Sequence, residues 1–588
     1  MLDPRIYRAA LLPVLLVLIV VAFSLADGPA PLRTRFAPVA FDGARAARLL
    51  DVLAGEYPER RPGGPGDAAL ARRVATELHD ALPAVAVHSR SFEAQTIDGS
   101  RTLTTVWAEQ PGSGGGAQLV VVAHRDAAAR GAKAELSGTA AMLELARVLG
   151  ASRPVRTVTF ASVSGGSGGQ AGMADLVAHL QRPVDAVLEL GDLAGPLAHG
   201  RPMVVAWSQS AGTAPLVLQR TVALALRTET GIVSPGAQAR TALARFTYPL
   251  SVSGQGVANA GGLAGVRLSA SGELPPAGNA PVLPARLDGF GRAALRALTA
   301  LEGGPQVGPA PDRDLLIARK VLPGWALRLF VLALLLPALV TLVDGVARMR
   351  RRREPVLRRI AWVLALGVPF VVAALFARGL GLTHAVVDLS PPAPPGIVPP
   401  HRSGWTAMAC TAVVLALGFL ALRPLLLRGL RLGGVRDDPS AGLAPALVAC
   451  VGGLVAWALN PYAALLFVLP ANLWLLLGAR ELRLRRPVAV LVVLVSLIPA
   501  AGVAVVYASQ LRMRVGDVAW FWFQAVAGGQ GGTAALVGWC VAAGAAAAAF
   551  VVACAPEADA ADLPITVRGP RSYAGPGSLG GTDSAMRR

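Results

Sequence analysis

From Val321 onward the chain is a succession of apolar runs, at about 323–346, 360–380, 404–425, 441–459, 461–478, 487–508 and 532–554. A helix rises about 1.5 Å per residue, so each run is long enough to cross the hydrocarbon core of a bilayer. A segment in lipid has to satisfy its backbone polar groups internally, which restricts this half of the chain to a helical bundle. A further apolar stretch, Ala9 to Leu25, comes after Arg5 and Arg8. Ser24-Leu25-Ala26 has the small-residue pattern of a cleavage site, so a removed signal peptide competes with a retained anchor. The length of the run favours the anchor. Either way, the chain beyond this stretch is expected to be exported.

The mean hydropathy of +0.52 and the apolar fraction of 54% agree with a membrane protein. The net charge of +19 does not point to nucleic acid. Lys133 and Lys320 are the only lysines, and the arginines gather in short loops between apolar runs. Arg348, Arg350 to Arg353, Arg358 and Arg359 form one group. Arg423, Arg428, Arg431 and Arg436 form a second, and Arg480, Arg483, Arg485 and Arg486 a third. The alternate loops, Gly381 to Arg402 and Gln510 to Gly531, are poor in arginine. Positive charge retained on the cytoplasmic side then puts both termini inside and residues 28–320 outside, in a multi-pass protein of the cell membrane. Cys410, Cys450, Cys540 and Cys554 all lie in the expected spans, with no zinc-finger spacing and no disulfide framework. Arg378 and Asp388 fall near outer span ends, and no acidic residue or histidine lies deep in a span, which argues against a transporter. Trp520-Phe521-Trp522-Phe523 is expected in an external loop, anchored at the headgroup layer.

Residues 28–320 read differently. A proline-rich linker covers Ala30 to Pro38, and helical spacing covers Phe41 to Ala54, with Asp42 as N-cap, and Asp67 to Leu82. Val85 to Phe92 and Thr102 to Glu109 alternate as strands and are expected to pair antiparallel at a sheet edge. Next come Leu119 to Ala123, ending in His124-Arg125-Asp126; the helical Thr139 to Leu149; the apolar Val155 to Val163 with the glycine-rich Ser164 to Gly169; and Ala186 to Leu190, ending in Gly191-Asp192. Strand and helix therefore alternate, and His124, Asp126 and Asp192 stand at strand ends, where open α/β sheets place their chemistry. Met203 to Trp207 and Gly265 to Ser269 are further strands, with helices over Thr213 to Thr228 and Asp288 to Leu301. Gly303 to Asp314 is a linker. The fold class is α/β: a mixed, mostly parallel sheet with helices on both faces, followed by an all-α transmembrane bundle. The domains are 1–27 as signal anchor, 28–320 as extracytoplasmic α/β domain, 321–555 as seven-span region and 556–588 as disordered cytoplasmic tail.

The segments VVVAHRDA, GAKAELSGTAAMLELARVL, RTVTFASVSGGSGGQAG and LELGDLAG, with YPERRPGG upstream and Gly262 to Ser269 downstream, resemble the di-zinc aminopeptidases of metallopeptidase family twenty-eight, over about residues 45–303. The resemblance implies a zinc-exopeptidase-like fold and aminopeptidase chemistry. It makes His124 and Asp192 metal ligands and Asp126 the carboxylate orienting His124. The same alignment puts Ala134 where the bridging aspartate belongs, Glu135 one residue out of register, and Gly166-Ser167 where the catalytic Glu-Glu belongs. No histidine occurs between His199 and His384 to supply the final ligand, and His199, near Asp192, is a weak substitute. A catalytic zinc needs about three protein ligands and a water, and glycine cannot serve as general base. The expectation is therefore a site with no intact metal set, no catalytic residue and no cofactor, in which His124 and Asp126 form a structural hydrogen-bonded pair. In this reading the protein is a non-catalytic binding or assembly module for a peptide or envelope protein. One alternative is an active, zinc-dependent membrane aminopeptidase with a rearranged site, and a second is a transporter with an accessory ectodomain.

Overall fold

The computed structural model describes residues 4–34, 40–181, 183–236, 238–308, 313–317, 320–432, 441–479, 482 and 484–555. Arg436, Arg480, Arg483 and the tail after residue 555 lie outside the described residues, as do parts of both linkers. The chain enters through α1 (Pro4–Phe23) and β1 (Ala26–Asp27). The α/β half then runs α2 (Gly43–Glu56), α3 (Pro65–Ala81), β2 (Val87–Thr96), β3 (Gly99–Gln110), β4 (Gln118–His124), α4 (Ser137–Gly150), β5 (Val158–Val163), α5 (Ala171–His179), β6 (Val184–Leu190), β7 (Val204–Val205), α6 (Leu216–Thr230), α7 (Ala239–Thr247), α8 (Gly254–Ala260), β8 (Gly265–Leu268) and α9 (Pro284–Gly303).

Seven strands form one sheet in the order β2-β3-β5-β4-β6-β8-β7. The central four, β5, β4, β6 and β8, are parallel, while β2, β3 and β7 run antiparallel to their neighbours. The near-continuous burial of β4 comes from helices on both faces. Leu119, Val121 and Ala123 join the large core under α2, α3, α4, α6 and α9. Val120 and Val122 face α5 and α8 through Met173, Leu176 and Ala258. Asp42 caps α2 by accepting from Arg45 N at 3.0 Å, as its position implies. One expectation needs correction: the strand at Met203 to Trp207 shortens to Val204–Val205. α7 and α8 lie in a stretch to which no element was assigned.

β9 (Leu315–Ile317) and β10 (Lys320–Leu322) lead into the second half, and β10 pairs antiparallel with β1. A Lys320 Nζ–Asp27 Oδ1 contact of 2.7 Å reinforces that pairing. Entry to and exit from the α/β half are thus zipped together beside α1. The apolar half comprises α10 (Gly324–Arg351), α11 (Val356–Leu382), α12 (Arg402–Leu417), a π turn at Gly418–Leu422, α13 (Arg423–Gly429), α14 (Leu443–Leu459), α15 (Pro461–Leu473), α16 (Leu475–Gly478), α17 (Arg486–Ser496), α18 (Ile498–Gln510), α19 (Val515–Ala527) and α20 (Gly532–Ala553). Among the described residues, six helical segments, α1 among them, are long and apolar enough to cross a membrane. The expected span at 487–508 is broken into α17 and α18, bent by 46°, with Pro499 in the first turn of α18, where it supplies no N–H to bridge the break. The expected span at 441–459 is the shorter α14.

Close helix packing here uses glycine. A Cβ at Gly544 of α20 would stand 2.5 Å from Gly367 Cα of α11. With no water to expel between spans, such backbone approach supplies the van der Waals contact that holds them together. Gly544→Val should push α11 and α20 apart, lowering stability by about 1–3 kcal/mol. A thermal unfolding scan of the detergent-purified chain that places the variant level with the wild type would contradict this packing account.

Candidate active site

Because β4, β5, β6 and β8 are parallel, their carboxyl ends share one edge. His124 ends β4, the glycine-rich 164–169 turn succeeds β5, and Asp192 lies just past β6. The sequence-derived site residues therefore lie along one edge. Their pairing is another matter. His124 Nε2 lies 3.3 Å from Glu135 Oε1, and both side chains are buried. Asp126 does not orient His124. Its two oxygens instead accept from Gly166 N and Ser167 N, each at 2.9 Å. The expected His124–Asp126 pair is thus replaced. The N–H groups of a tight glycine turn need an acceptor, and a fully buried carboxylate supplies a strong one.

The segment before the site is held by buried arginines. Arg125 Nε lies 2.8 Å from Asp67 Oδ1, and Asp67 Oδ2 accepts from Ser164 Oγ at 2.6 Å and Gly63 N at 2.9 Å. Arg60, at 1% exposure, donates from Nε to Arg125 O at 3.0 Å and from Nη2 to Ala132 O. These contacts make Arg60 of YPERRPGG and Arg125 of HRD structural: removing one would strand a buried carboxylate or carbonyl.

Asp192 is spent on its own turn. Its Oδ1 accepts from Ala194 N at 3.0 Å and Gly195 N at 2.6 Å, while Oδ2 is buried with no hydrogen-bond partner among the described residues. Burial pushes its pKa up to about 6, against the lowering effect of those N–H groups and of Arg267. His199 is exposed and does not line the cleft. A Cβ at Gly166 would lie 2.5 Å from His124 Cγ, so the imidazole occupies the room a glutamate would need there.

The residue that sequence reasoning missed is Arg267. It lies in β8, pairs through Nη1 with Glu189 and donates from Nε to Gly272 O at 3.3 Å. A Cβ at Gly191 would come within 2.6 Å of its Nη2, which places the guanidinium beside the Asp192 turn. A charge inside the short apolar strand GVRL was the available signal, since a buried charge demands a partner. Glu273 forms another part of the wall and accepts from Arg245 Nη2 at 2.5 Å, Ser251 Oγ at 2.8 Å and Val252 N at 2.9 Å. The space enclosed with Ser167, Gln170, Pro394 and Ile397 is about 10 Å³, enough for one water.

These residues do not fit a two-zinc centre. Among the described residues no three His, Cys, Asp or Glu side chains converge on one point, and a permanently charged guanidinium shares the cleft.

Residues 105–231 match the model of peptidase family M28. Solved structures similar to the chain include the LapA aminopeptidase of Legionella pneumophila, 14% identical, covering 46% of this chain and 73% of that one, with a TM-score of 0.37. The glutaminyl cyclase of Fimbriiglobus ruber is 15% identical, with 46% and 99% covered and a TM-score of 0.34. BSAP, a zinc aminopeptidase from Bacillus subtilis, is 11% identical, with 45% and 95% covered and a TM-score of 0.35. Among curated proteins none matches the chain.

The protonation of Asp192 gives the M28-like half a pH signature. A carboxyl whose folded pKa is raised destabilises the fold once ionised; that cost is absent below about pH 4, the unfolded value, and complete above about pH 6. Asp192→Asn keeps an oxygen for Ala194 N and Gly195 N. It should leave stability unchanged near pH 4 and raise it near pH 7.5, by up to about 3 kcal/mol. Denaturation midpoints at the two pH values are the measurement, and a loss of stability at pH 7.5 would mean that the ionised carboxylate holds a cation.

Proposed function

We propose that the protein is a polytopic membrane protein whose M28-like domain, residues 28–320, stands outside the cell, with both termini in the cytoplasm. In this reading the domain is a non-catalytic module that binds a peptide or an envelope protein. The arginine-rich loops support the orientation. The observation that carries the loss of catalysis is the filling of the base position: Gly166 lies against the His124 ring, and Arg267 supplies the cation of the cleft. Nothing in the glycine-rich turn can take a proton from water, a role worth on the order of 10²–10⁴ in rate. The protein would thus retain the frame of an exopeptidase and a cleft edge without its metal chemistry.

One observation favours a second reading. His124 and Glu135 meet at 3.3 Å and could share a single ion, which would make the protein a zinc-dependent aminopeptidase with a rearranged site. The two readings separate on the purified full-length chain. The module reading expects well under one zinc per chain, roughly a tenth or less, given so few ligands. It also expects aminoacyl-anilide hydrolysis that does not change in His124→Ala. Stoichiometric zinc, together with hydrolysis lost in that variant, would establish the enzyme instead.

A further inference from the structure

The connection between α11 and α12 does not stay with the helices. Leu389, Ala393 and Val398 are buried at 3%, 0% and 7% exposure and form one apolar cluster with Ile97 from the β2–β3 turn. The glycine-rich turn after β5 receives them. A Cβ at Gly168 would lie 3.1 Å from Ala393 Cβ, and one at Gly169 would lie 2.8 Å from Leu389 Cδ2. Pro394 and Ile397 complete the wall of the cleft that holds His124, Ser167 and Gln170. Ser167, at 2% exposure, has an Oγ with no hydrogen-bond partner among the described residues.

The far side of this segment is fastened to the apolar half. Arg378 of α11 lies 3.0 Å from Asp388, Ser390 Oγ is 2.9 Å from Gln530 Oε1, and Trp520 Nε1 of α19 donates to Val398 O at 2.9 Å. From Leu389 to Pro400 the sequence is LSPPAPPGIVPP, with no charged side chain. The strip closes in a turn, where Ile397 N and Val398 N donate to Pro394 O at 2.8 and 3.1 Å, and its prolines leave few N–H groups to satisfy. It meets a floor of glycine backbone and Ile97, and so is complementary to a neutral, apolar surface.

We propose that residues 389–398 are a tethered occupant of the M28-like cleft: an internal ligand, held in place by α11 and α19, that closes the site until those helices shift. The partner that displaces it is an uncharged, proline-containing peptide segment. This second statement rests on the reading of the cleft as a binding site; the first does not.

The test uses the full-length chain in lipid nanodiscs, with the four native cysteines changed to alanine and Ser167→Cys as reporter. Labelling by a membrane-impermeant maleimide should be slow, and should accelerate at least about ten-fold in Ala393→Arg, which cannot seat its side chain against Gly168. Should Ala393→Arg fail to fold, a protease site inserted at the exposed Gly396 allows the loop to be nicked after purification, with the same acceleration expected. A fluorescent peptide of residues 387–399, VDLSPPAPPGIVP, should bind the opened protein and not the parent. Equal labelling rates in the parent, the variant and the nicked protein would overturn the tethered occupant. Faster labelling without peptide binding would keep the occupant as a plug and overturn the cleft as a peptide-binding site.

Discussion

The buried guanidinium of Arg245 is the constraint on which the relation between the two halves depends. Arg245 belongs to α7 and is 2% exposed. Its charge is met by Glu273 at 2.5 Å, and its flat faces lie 4.7 Å from the Tyr507 ring and 5.7 Å from the Trp207 ring. Tyr507 sits on α18 in the apolar half and donates its hydroxyl to Leu250 O at 3.4 Å and also to Tyr248 O. A buried charge tolerates little displacement, because losing its partner costs several kcal/mol. The pair therefore positions the wall of the cleft, through Glu273, and the docking of α18 in one arrangement. Asn460 Nδ2, which donates to Phe246 O at 2.7 Å, and the Phe246–Tyr462 ring contact at 4.6 Å extend the same junction.

This junction changes the meaning of the aromatic cluster. Trp520 to Phe523 lie on a helix, α19, and not in a loop. Phe521 is fully buried with Leu250, Val252 and Tyr507, and Trp520 packs with Val386 and Ala407. Aromatic residues offer large apolar faces and a polar edge, a combination as useful in a buried protein joint as at a lipid surface. The local sequence does not name the partners; the contacts of Phe521 with Leu250 and Val252 come from the fold.

The cleft obeys the same logic at a smaller scale. In a two-zinc site a cluster of carboxylates is held together by the metal charge. Here the carboxylates are dispersed to other cations and to backbone: Glu189 to Arg267, Asp126 to the glycine turn, Asp192 to the N–H groups of its own turn. Asp126 and Glu189 are satisfied by these partners, while Asp192 keeps one buried oxygen without a hydrogen-bond partner among the described residues. Glu135 is the exception, left beside His124, and this is why that pair is the place where any residual affinity for a cation would be found.

Periodicity alone determined that the chain has an α/β half and a helical apolar half, and strand ends marked His124, Asp126 and Asp192 as neighbours, because side-chain period and the carboxyl edge of a parallel sheet are local consequences of backbone geometry. Ala134 and Gly166, at the positions where the resemblance puts a bridging aspartate and a catalytic glutamate, can likewise be read without coordinates. What only the tertiary structure decided was partnership: Glu135 rather than Asp126 beside His124, Arg267 brought into the cleft from a distant strand, and a proline-rich connection from far along the chain laid across the opening. Those contacts join segments whose sequences carry no record of each other. Their geometry is set by packing and charge compensation across the whole molecule, where each buried group takes whichever partner the fold delivers.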